Sequence, residues 1–305
     1  MSDPAPGTVL CFGEVLWDCL PQGRFPGGAP INVAYHLVRL GLRALPVTAV
    51  GGDELGEELL RRLRELGLET DFVSQLPDRP TGTVQVRLEG GIPRYQIARE
   101  VAWDWIEIPP ALLQLAPQSS ALVFGSLAQR DQHNRLALEV LRDRFEGALQ
   151  VFDVNLRAPF DSAGLVGTLA SGADLIKLND EELTRLLGLS SDSEPIETSA
   201  RRFAEKTDCA RICVTAGARG AGLLIDGAWF WAEAQPVKVR DTVGAGDAFL
   251  AALLSGLLAS ELEPPSILQR ACRLAEFVAA SDGATPSYTP AEIAGWQATS
   301  PGSLR

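Results

Sequence analysis

The chain reads Asp241-Thr242-Val243-Gly244-Ala245-Gly246-Asp247-Ala248-Phe249 directly before a long apolar helical run. Two glycines in three positions let backbone N–H groups approach a ligand closely, and a helix N-terminus adds positive potential there. The segment Gly244-Ala245-Gly246 is therefore predicted to bind an anion, with Asp247 in the first turn of the helix. The alternative for Asp247 is an ordinary acidic residue at a helix start, where the helix dipole favours it.

A second glycine cluster, Gly27-Gly28-Ala29-Pro30-Ile31-Asn32, also precedes a helical stretch. Pro30 suits the first helical position, and Asn32 falls on the first turn. A polar ligand could meet the loop backbone and the Asn32 amide together at such a helix start. On its own such a cluster is more often only a loop that joins a helix.

Apolar runs of strand length alternate with amphipathic helical stretches along the chain. The predicted strands are 9–13, 44–50, 121–125, 149–154, 174–178 and 211–215. The predicted helices are 31–40, 54–66, 132–145, 162–172, 181–187, 198–206, 245–259 and 265–281. This alternation predicts an α/β fold with a central, mostly parallel sheet and helices on both faces. Asp226-Gly227 predicts a hairpin between 222–226 and 228–232.

Residues 69–101 depart from this order of strands and helices. Polar and apolar residues alternate there without a helical pattern, and Gly90-Gly91 is a turn signal. We predict a small antiparallel sheet beside the main one, a β lid formed by segments near 14–26 and 69–101. A decorative edge hairpin is the alternative. Residues 1–305 are predicted to form one domain, and the exposed lid edge suits a homodimer.

The chain has 305 residues and a formal net charge of −12, which argues against nucleic-acid and acidic-membrane partners. His36 and His133 are the only histidines, which excludes a three-histidine zinc site. No pair of the five cysteines has C-x-x-C spacing, which is typical of reduced thiols. Neither a signal peptide nor a membrane-spanning run is visible in the sequence. A cytoplasmic location is therefore predicted.

Three common motifs are missing from the sequence: G-x-x-x-x-G-K-[ST], G-x-G-x-x-G after the first strand, and G-x-S-x-G. Their absence argues against a P-loop NTPase, a Rossmann dehydrogenase and an α/β-hydrolase.

Six matches in the expected order carry a family resemblance. Residues 27–34 and 241–249 resemble the two signatures of the PfkB (ribokinase-like) carbohydrate kinases. The other four are Gly13-Glu14 with Asp18, the fructokinase-like D-x-N-x-R at 153–157, N-x-x-E at 179–182 and T-x-G-x-x-G at 215–220. The matches cover about residues 8 to 295. The chain is thus identified as a member of this family, in a fructokinase-like subgroup, and the resemblance implies a ribokinase-like fold.

The resemblance implies a role for each matched position. Asp247 would be the catalytic base, with Gly244, Ala245 and Gly246 as the anion hole. The residues implied in sugar binding are Asp18, Gly27, Gly28, Asn32, Asn155 and Arg157. Those implied in nucleotide binding are Thr215, Gly217, Gly220 and Asn179. Mg²⁺ would bind through water to Asn179 and Glu182, although capping of the following helix also explains Asn179. A monovalent cation, K⁺, would take Asp241, Val243, Val278, Ser281, Gly283 and Ser287.

The implied activity is transfer of the γ-phosphoryl group of ATP to a primary hydroxyl of a small sugar, with fructose as the predicted substrate. A 2-keto-3-deoxygluconate kinase or another small-sugar kinase is the nearest alternative. A non-catalytic protein that senses sugar or nucleotide is a further one, because fold does not determine function. A metal-dependent hydrolase would need clustered His, Asp or Glu ligands, which the sequence does not display.

Overall fold

A computed structural model of the protein describes residues 7–20, 22–89, 92–145, 147–190, 193–259 and 262–296. The strands are β1 Thr8–Phe12, β2 Leu16–Leu20, β3 Gly23–Gly27, β4 Arg43–Gly51, β5 Val73–Leu76, β6 Thr83–Glu89, β7 Ile92–Ile97, β8 Ser119–Gly125, β9 Leu149–Asp153, β10 Leu175–Asn179, β11 Ile212–Thr215, β12 Ala221–Ile225 and β13 Ala228–Ala232. The helices are α1 Ala29–Arg39, α2 Glu54–Glu65, α3 Pro110–Leu115, α4 Gln132–Arg142, α5 Ala163–Ala170, α6 Asp180–Leu187, α7 Ile196–Thr207, α8 Ala245–Leu258, α9 Pro264–Ala279 and α10 Pro290–Gly295.

The main sheet has nine strands in the order β13-β12-β11-β10-β9-β8-β1-β4-β5. The seven strands from β11 to β5 pair in parallel, whereas β12 and β13 are antiparallel to their neighbours. The predicted α/β fold with a mostly parallel central sheet is confirmed. Because the parallel strands share one direction, their carboxyl ends lie along the same edge of the sheet.

Strand β1 shows why this sheet is covered on both faces. Val9 and Cys11 pack into one apolar cluster with α1, α8 and α9, while Leu10 and Phe12 pack into the cluster on the opposite face. Successive side chains of a strand point to opposite faces, so a strand with apolar residues at every position needs helices on both sides.

A second, small sheet has the order β3-β2-β6-β7. This sheet includes less of the chain than the predicted lid segments, because Val73–Leu76 pairs in parallel with β4 and belongs to the main sheet. The small sheet is also mixed, since β2 and β6 pair in parallel rather than antiparallel. Strand β4, helix α2 and strand β5 form an ordinary βαβ unit of the main sheet. The chain therefore enters the small sheet again only at Thr83. Its role as a lid stays a prediction.

The predicted hairpin is confirmed, with Asp226 at φ 50° and Gly227 at φ 76° between β12 and β13. Positive φ at both central residues matches the right-handed twist of the flanking strands. The sequence did not predict the short helices α3 and α10, which have six residues each. Within the part of the chain that the structure describes, no helix has the length and apolar character needed to cross a bilayer.

Candidate active site

The predicted anion-binding segment lies at the N-terminus of α8. Gly244 precedes the helix at φ 76°, and a Cβ there would lie only 2.5 Å from Ala284 Cβ and 2.7 Å from Ala284 Cα. Glycine is therefore required at this position both by the backbone conformation and by the close approach of the neighbouring loop. On the other side, a Cβ on Gly246 would lie 3.2 Å from Lys177 Nζ. The segment is thus held between a loop and a buried cation.

The N-terminus of α1 meets that of α8 through one hydrogen bond. Asn32 Nδ2 donates to Asp247 Oδ2 at 2.8 Å, across 215 residues of sequence. Asn32 is buried, and its Oδ1 has no hydrogen-bond partner among the residues that the structure describes. Gly28 precedes α1 at φ 117°, where a side chain would collide with the carbonyl oxygen of Glu14. The two glycine clusters of the sequence therefore form opposite walls of one site.

Asp247 has a carboxyl group of unusual basicity for an aspartate. Burial and the negative charge of Asp153 raise the pKa of Asp247 to about 6. The cation of Lys177 and the hydrogen bond from Asn32 act in the opposite direction. At neutral pH the carboxylate is mostly ionised, and it is basic enough to accept a proton from a bound hydroxyl group.

Lys177 and Asp153 form a buried ion pair that the sequence analysis missed. Lys177 lies on β10 and Asp153 ends β9, and Nζ donates to the two carboxylate oxygens at 3.0 and 3.3 Å. Burial acts to lower the pKa of Lys177, but the carboxylates of Asp153 and Asp247 raise it above its usual value. A charged residue inside the apolar run Ile176-Lys177-Leu178 was the available signal, because such a residue needs a buried partner.

The predicted sugar-binding residues lie beside this pair of helix starts. Asp18 on β2 packs so closely against Gly27 that a side chain at Gly27 would collide with its carboxylate. Burial raises the pKa of Asp18 to about 6, and the positive charge of Arg157 opposes that shift. Arg157 is exposed at the surface, and Asn155 has a positive φ of 38°. Arg157 thus lies near enough to Asp18 and to Asp247 for its charge to act on both carboxyl groups.

Glu14 is a second residue that the sequence analysis did not assign to the site. It follows β1, is 3% exposed, and accepts a hydrogen bond from the Ala29 backbone N–H at 3.3 Å through Oε1. Within the described part of the chain its Oε2 has no hydrogen-bond partner, and burial raises the pKa of Glu14 to about 7. The match at Gly13-Glu14 was the signal that could have identified it. Glu14 holds the first turn of α1 in place.

Asn179 and Glu182 form a capping box at the start of α6. Glu182 N donates to Asn179 Oδ1 at 2.7 Å, and Asn179 N donates to Glu182 Oε2 at 2.9 Å. Glu182 Oε1 also accepts from Leu156 N at 2.7 Å. Helix capping therefore accounts for both residues, whereas the sequence analysis had considered it for Asn179 alone. Since both carboxylate oxygens are already engaged, these residues fit Mg²⁺ through water rather than by direct ligation.

Thr215, Gly217 and Gly220 lie in the tight turn that follows β11. Gly217 has φ 54° and Gly220 has φ 117°, and a side chain at Gly220 would collide with the Ala232 carbonyl oxygen. The turn is closed by a hydrogen bond from Ala216 N to Gly220 O at 2.8 Å. Both glycines are thus explained by the turn geometry, and their contact with a nucleotide stays a prediction.

The two segments predicted to bind a monovalent cation lie next to each other, because Asp241 N donates to Ala279 O at 3.3 Å. The side chains are engaged elsewhere: Asp241 accepts from Val243 N, and Ser281 donates to Phe277 O. Ser287 accepts from Arg39, Val278 is fully buried, and Gly283 has no side chain. A cation here would therefore be bound mainly by backbone carbonyls. Among the residues that the structure describes, no three His, Cys, Asp or Glu side chains cluster as a metal site.

A mostly parallel sheet of this kind, with a glycine-rich helix start beside it, is the architecture of the ribokinase-like carbohydrate kinases. Residues 9–292 match the family described as pfkB family carbohydrate kinase. The chain belongs to that family.

Three similar proteins illustrate this membership. Fructokinase-2 of Solanum habrochaites is 30% identical, over 94% of this chain and 95% of the relative. The fructokinase of Vibrio cholerae O395, solved with fructose, ADP and a calcium ion, is 25% identical with a TM-score of 0.80, over 95% of this chain and 99% of the other. A double mutant of that enzyme, solved with fructose, ADP and a potassium ion, has 25% identity and a TM-score of 0.81, over 96% and 99%.

Proposed function

We propose that this carbohydrate kinase transfers the γ-phosphoryl group of ATP to a primary hydroxyl group of fructose. The observation that carries this proposal is the hydrogen bond of 2.8 Å between Asn32 and Asp247. It joins the residue proposed to bind the sugar to the residue proposed to act as base. A sugar hydroxyl bound beside Asn32 would therefore lie within reach of the Asp247 carboxylate.

In the proposed reaction the substrate hydroxyl loses its proton to Asp247, and its oxygen forms a bond to the γ-phosphorus. The bond from that phosphorus to the bridging oxygen breaks, and ADP leaves with the electron pair. The backbone N–H groups of Gly244, Ala245 and Gly246 stabilise the negative charge that spreads over the transferred group. In comparable sites one such donor contributes about 3–4 kcal/mol to the transition state.

The proposed cofactors are Mg²⁺ and K⁺. Bound Mg²⁺ would neutralise charge on the phosphates, and Asn179 and Glu182 would hold its water ligands in place. Thr215, Gly217 and Gly220 would pack against the nucleotide. Backbone carbonyls of the segments 241–243 and 278–287 would hold K⁺ beside the anion hole, with the Asp241 carboxylate nearby. On the sugar side Asp18, Asn155 and Arg157 would bind hydroxyl groups, supported by the Gly27-Gly28 backbone.

Fructose is favoured as substrate because the relatives reported above are named fructokinases and because Asp18 and Asn32 both lie at the start of α1, next to Asp247. A 2-keto-3-deoxygluconate kinase would use the exposed Arg157 to bind the substrate carboxylate, which makes this acid the second candidate. The two substrates differ in charge, so a single screen separates them.

The test is an ADP-release assay with ATP and Mg²⁺ over fructose, ribose, glucose, 2-keto-3-deoxygluconate and nucleosides. We expect fructose to give the highest kcat/KM. Another compound that exceeds fructose by about tenfold, which corresponds to about 1.4 kcal/mol, would overturn the choice of sugar. Absence of turnover with every compound, together with measurable sugar and ATP binding, would favour a sensing protein instead.

A further inference from the structure

Three side chains of α1 donate hydrogen bonds to one loop, residues 284–288. Tyr35 Oη donates to Pro286 O at 2.8 Å, and Arg39 Nη2 donates to Tyr288 O. His36 Nε2 lies 2.9 Å from Ala284 O. Every second carbonyl of the loop is therefore bound by the last two turns of this helix. The loop has no regular secondary structure of its own, so these contacts determine its position.

His36 is the buried member of this set. It is 0% exposed, and its Nδ1 lies 2.9 Å from the hydroxyl group of Tyr288. Because a carbonyl oxygen can only accept, Nε2 carries the proton and donates to Ala284 O, while Nδ1 accepts from Tyr288. Burial lowers the pKa of His36 to about 4, so the ring stays neutral at physiological pH. Both nitrogens are thus engaged in one fixed orientation.

The position of His36 on α1 gives this contact a functional consequence. His36 follows Asn32 by four residues, so the two side chains lie on the same face of the helix. Asn32 donates to Asp247, at the end of the anion-hole segment. His36 holds Ala284, which packs directly against Gly244 at the beginning of that segment. One face of α1 therefore determines the position of both ends of the segment 244–247.

We propose that His36 is a positioning residue for phosphoryl transfer: it holds the loop 284–288 against Gly244 and so keeps the anion hole aligned with Asp247. This inference rests on the proposed function of the same site. His36 does not contact the substrate, and its effect passes through the Ala284 carbonyl. The reaction is sensitive to such alignment, because a misplacement of about 1 Å costs about 10²-fold in rate.

The test compares two amide substitutions at this position. In His36→Gln the side-chain amide nitrogen reaches about as far as Nε2 and can still donate to Ala284 O. In His36→Asn the shorter side chain cannot reach that carbonyl. We expect kcat to fall by about tenfold or more in His36→Asn, with the sugar KM changed by less than about twofold, because a misaligned anion hole affects the transition state more than sugar binding. His36→Gln is expected to retain kcat within about threefold of the wild-type value.

His133 provides the matched control. It lies on α4, which packs on the opposite face of the main sheet from α1 and α8. Its Nε2 also contacts a backbone carbonyl, that of Ile106 at 3.1 Å. His133→Asn removes a similar contact and is expected to leave kcat unchanged. Melting temperatures of all three variants separate general loss of stability from misalignment. A His36→Asn protein that keeps the wild-type kcat would overturn the inference.

Hydrogen–deuterium exchange gives a readout that does not depend on turnover. In His36→Asn the amides of 241–249 and 281–289 are expected to exchange faster than in the wild-type protein, and those of other segments are not. Exchange at wild-type rates in both segments would show that His36 does not hold the loop. If the wild-type chain turns over no sugar, the proposed function fails, and this comparison still decides the contact between helix and loop.

Discussion

At the scale of single residues, Asp247 combines a raised pKa with a position at a helix start. Asp247→Asn is nearly isosteric and keeps an oxygen that can accept from Asn32. We expect kcat to fall by about 10²–10⁴-fold, the usual effect of losing a positioned general base. Single-turnover phosphorylation measures this loss.

The same variant distinguishes the base from a helix cap. The melting temperature at neutral pH is expected to stay at or above the wild-type value, because the substitution removes a half-buried negative charge that lies near Asp153. A simple capping role predicts instead that the free energy of unfolding falls by about 1 kcal/mol or less and that turnover stays intact. Turnover at the wild-type rate would remove Asp247 from its proposed role.

The pH dependence of kcat/KM follows from the same carboxyl group. Only the ionised form of Asp247 can accept a proton, and its pKa in the folded protein is raised to about 6. Activity is therefore expected to be full above that value and to fall as the pH drops through about 6. Asp18 has a similarly raised pKa and ionises over the same range. A pH profile measured at low sugar concentration tests this expectation.

Substitutions of Lys177 and of Asp153, the two members of the buried ion pair, should shift the acid limb of this pH profile in opposite directions. Asp153→Asn removes a charge that raises the pKa of Asp247, so the acid limb is expected at lower pH. Lys177→Met removes a charge that lowers it, so the limb is expected at higher pH. Asp153→Asn keeps an oxygen for Lys177 Nζ and is therefore the variant better able to fold. A shift of both profiles in the same direction would contradict this electrostatic account.

At the scale of elements, one buried arginine ties the small sheet to the main one. Arg130 follows β8 and donates to both Asp104 oxygens at 2.7 and 2.8 Å, with its guanidinium group 3.9 Å from the centre of the Trp103 ring. It also donates to Ala98 O at 2.6 Å, just after β7 ends. The chain that leaves the small sheet is thus anchored beside the carboxyl edge of the main sheet.

Arg130→Met leaves the Asp104 carboxylate buried without its partner. We expect a loss of about 3–5 kcal/mol in the free energy of unfolding, measured by urea denaturation. Arg61→Met is the control, because Arg61 pairs with Glu65 on the exposed face of α2. This substitution should lower the free energy of unfolding by about 1 kcal/mol or less. Equal losses in the two variants would show that burial of the Arg130 pair does not matter.

The loop that contains residues 281–287 is the element proposed to hold a monovalent cation. A cation bound there would order the Gly244–Gly246 amides through the adjoining loop without touching the substrate. We therefore expect the rate to be higher in K⁺ than in Na⁺ at equal ionic strength. The assay is steady-state turnover in each chloride salt, with tetramethylammonium as the inert control. Equal rates in potassium and tetramethylammonium would rule out the site.

At the scale of the whole molecule, the small sheet shares the core of the main one. Trp17 on β2 is 1% exposed, and its Nε1 donates to Leu55 O at 3.0 Å near the start of α2. This shared packing supports the prediction of one domain, because Trp17 of the small sheet belongs to the same apolar cluster as α1, α8 and α9.

We also propose that two copies of the chain associate through the small sheet. Its outer strands are β3 and β7, and Phe25 on β3 is 45% exposed. An edge strand with unpaired backbone groups and an exposed aromatic residue is a natural surface for association. We expect light scattering to give the mass of a dimer and Phe25→Lys to shift it towards the monomer. A strict monomer of the wild-type chain at high concentration would contradict the dimer.

The sequence by itself determined the order and type of most elements, both glycine-rich helix starts and the family. These features depend on patterns among residues close together in the chain. The patterns are the spacing of apolar residues, glycine before a helix, and the Asp226-Gly227 turn. Asp247 and Asn32 were assigned to the site by the family resemblance, which rests on these same local motifs. It did not assign Lys177, Glu14 or His36, because the groups that these side chains contact lie 24, 15 and 248 residues away in the sequence.

Only the tertiary structure decided which distant groups meet. It placed β5 in the main sheet, brought Leu156 N to Glu182 Oε1, and paired Lys177 with Asp153 on the neighbouring strand. The raised pKa of Asp247 likewise arises from burial and from a charge on another strand. Desolvation and Coulomb interactions depend on distance in space and on the surrounding medium, and neither is encoded in the spacing of residues along the chain.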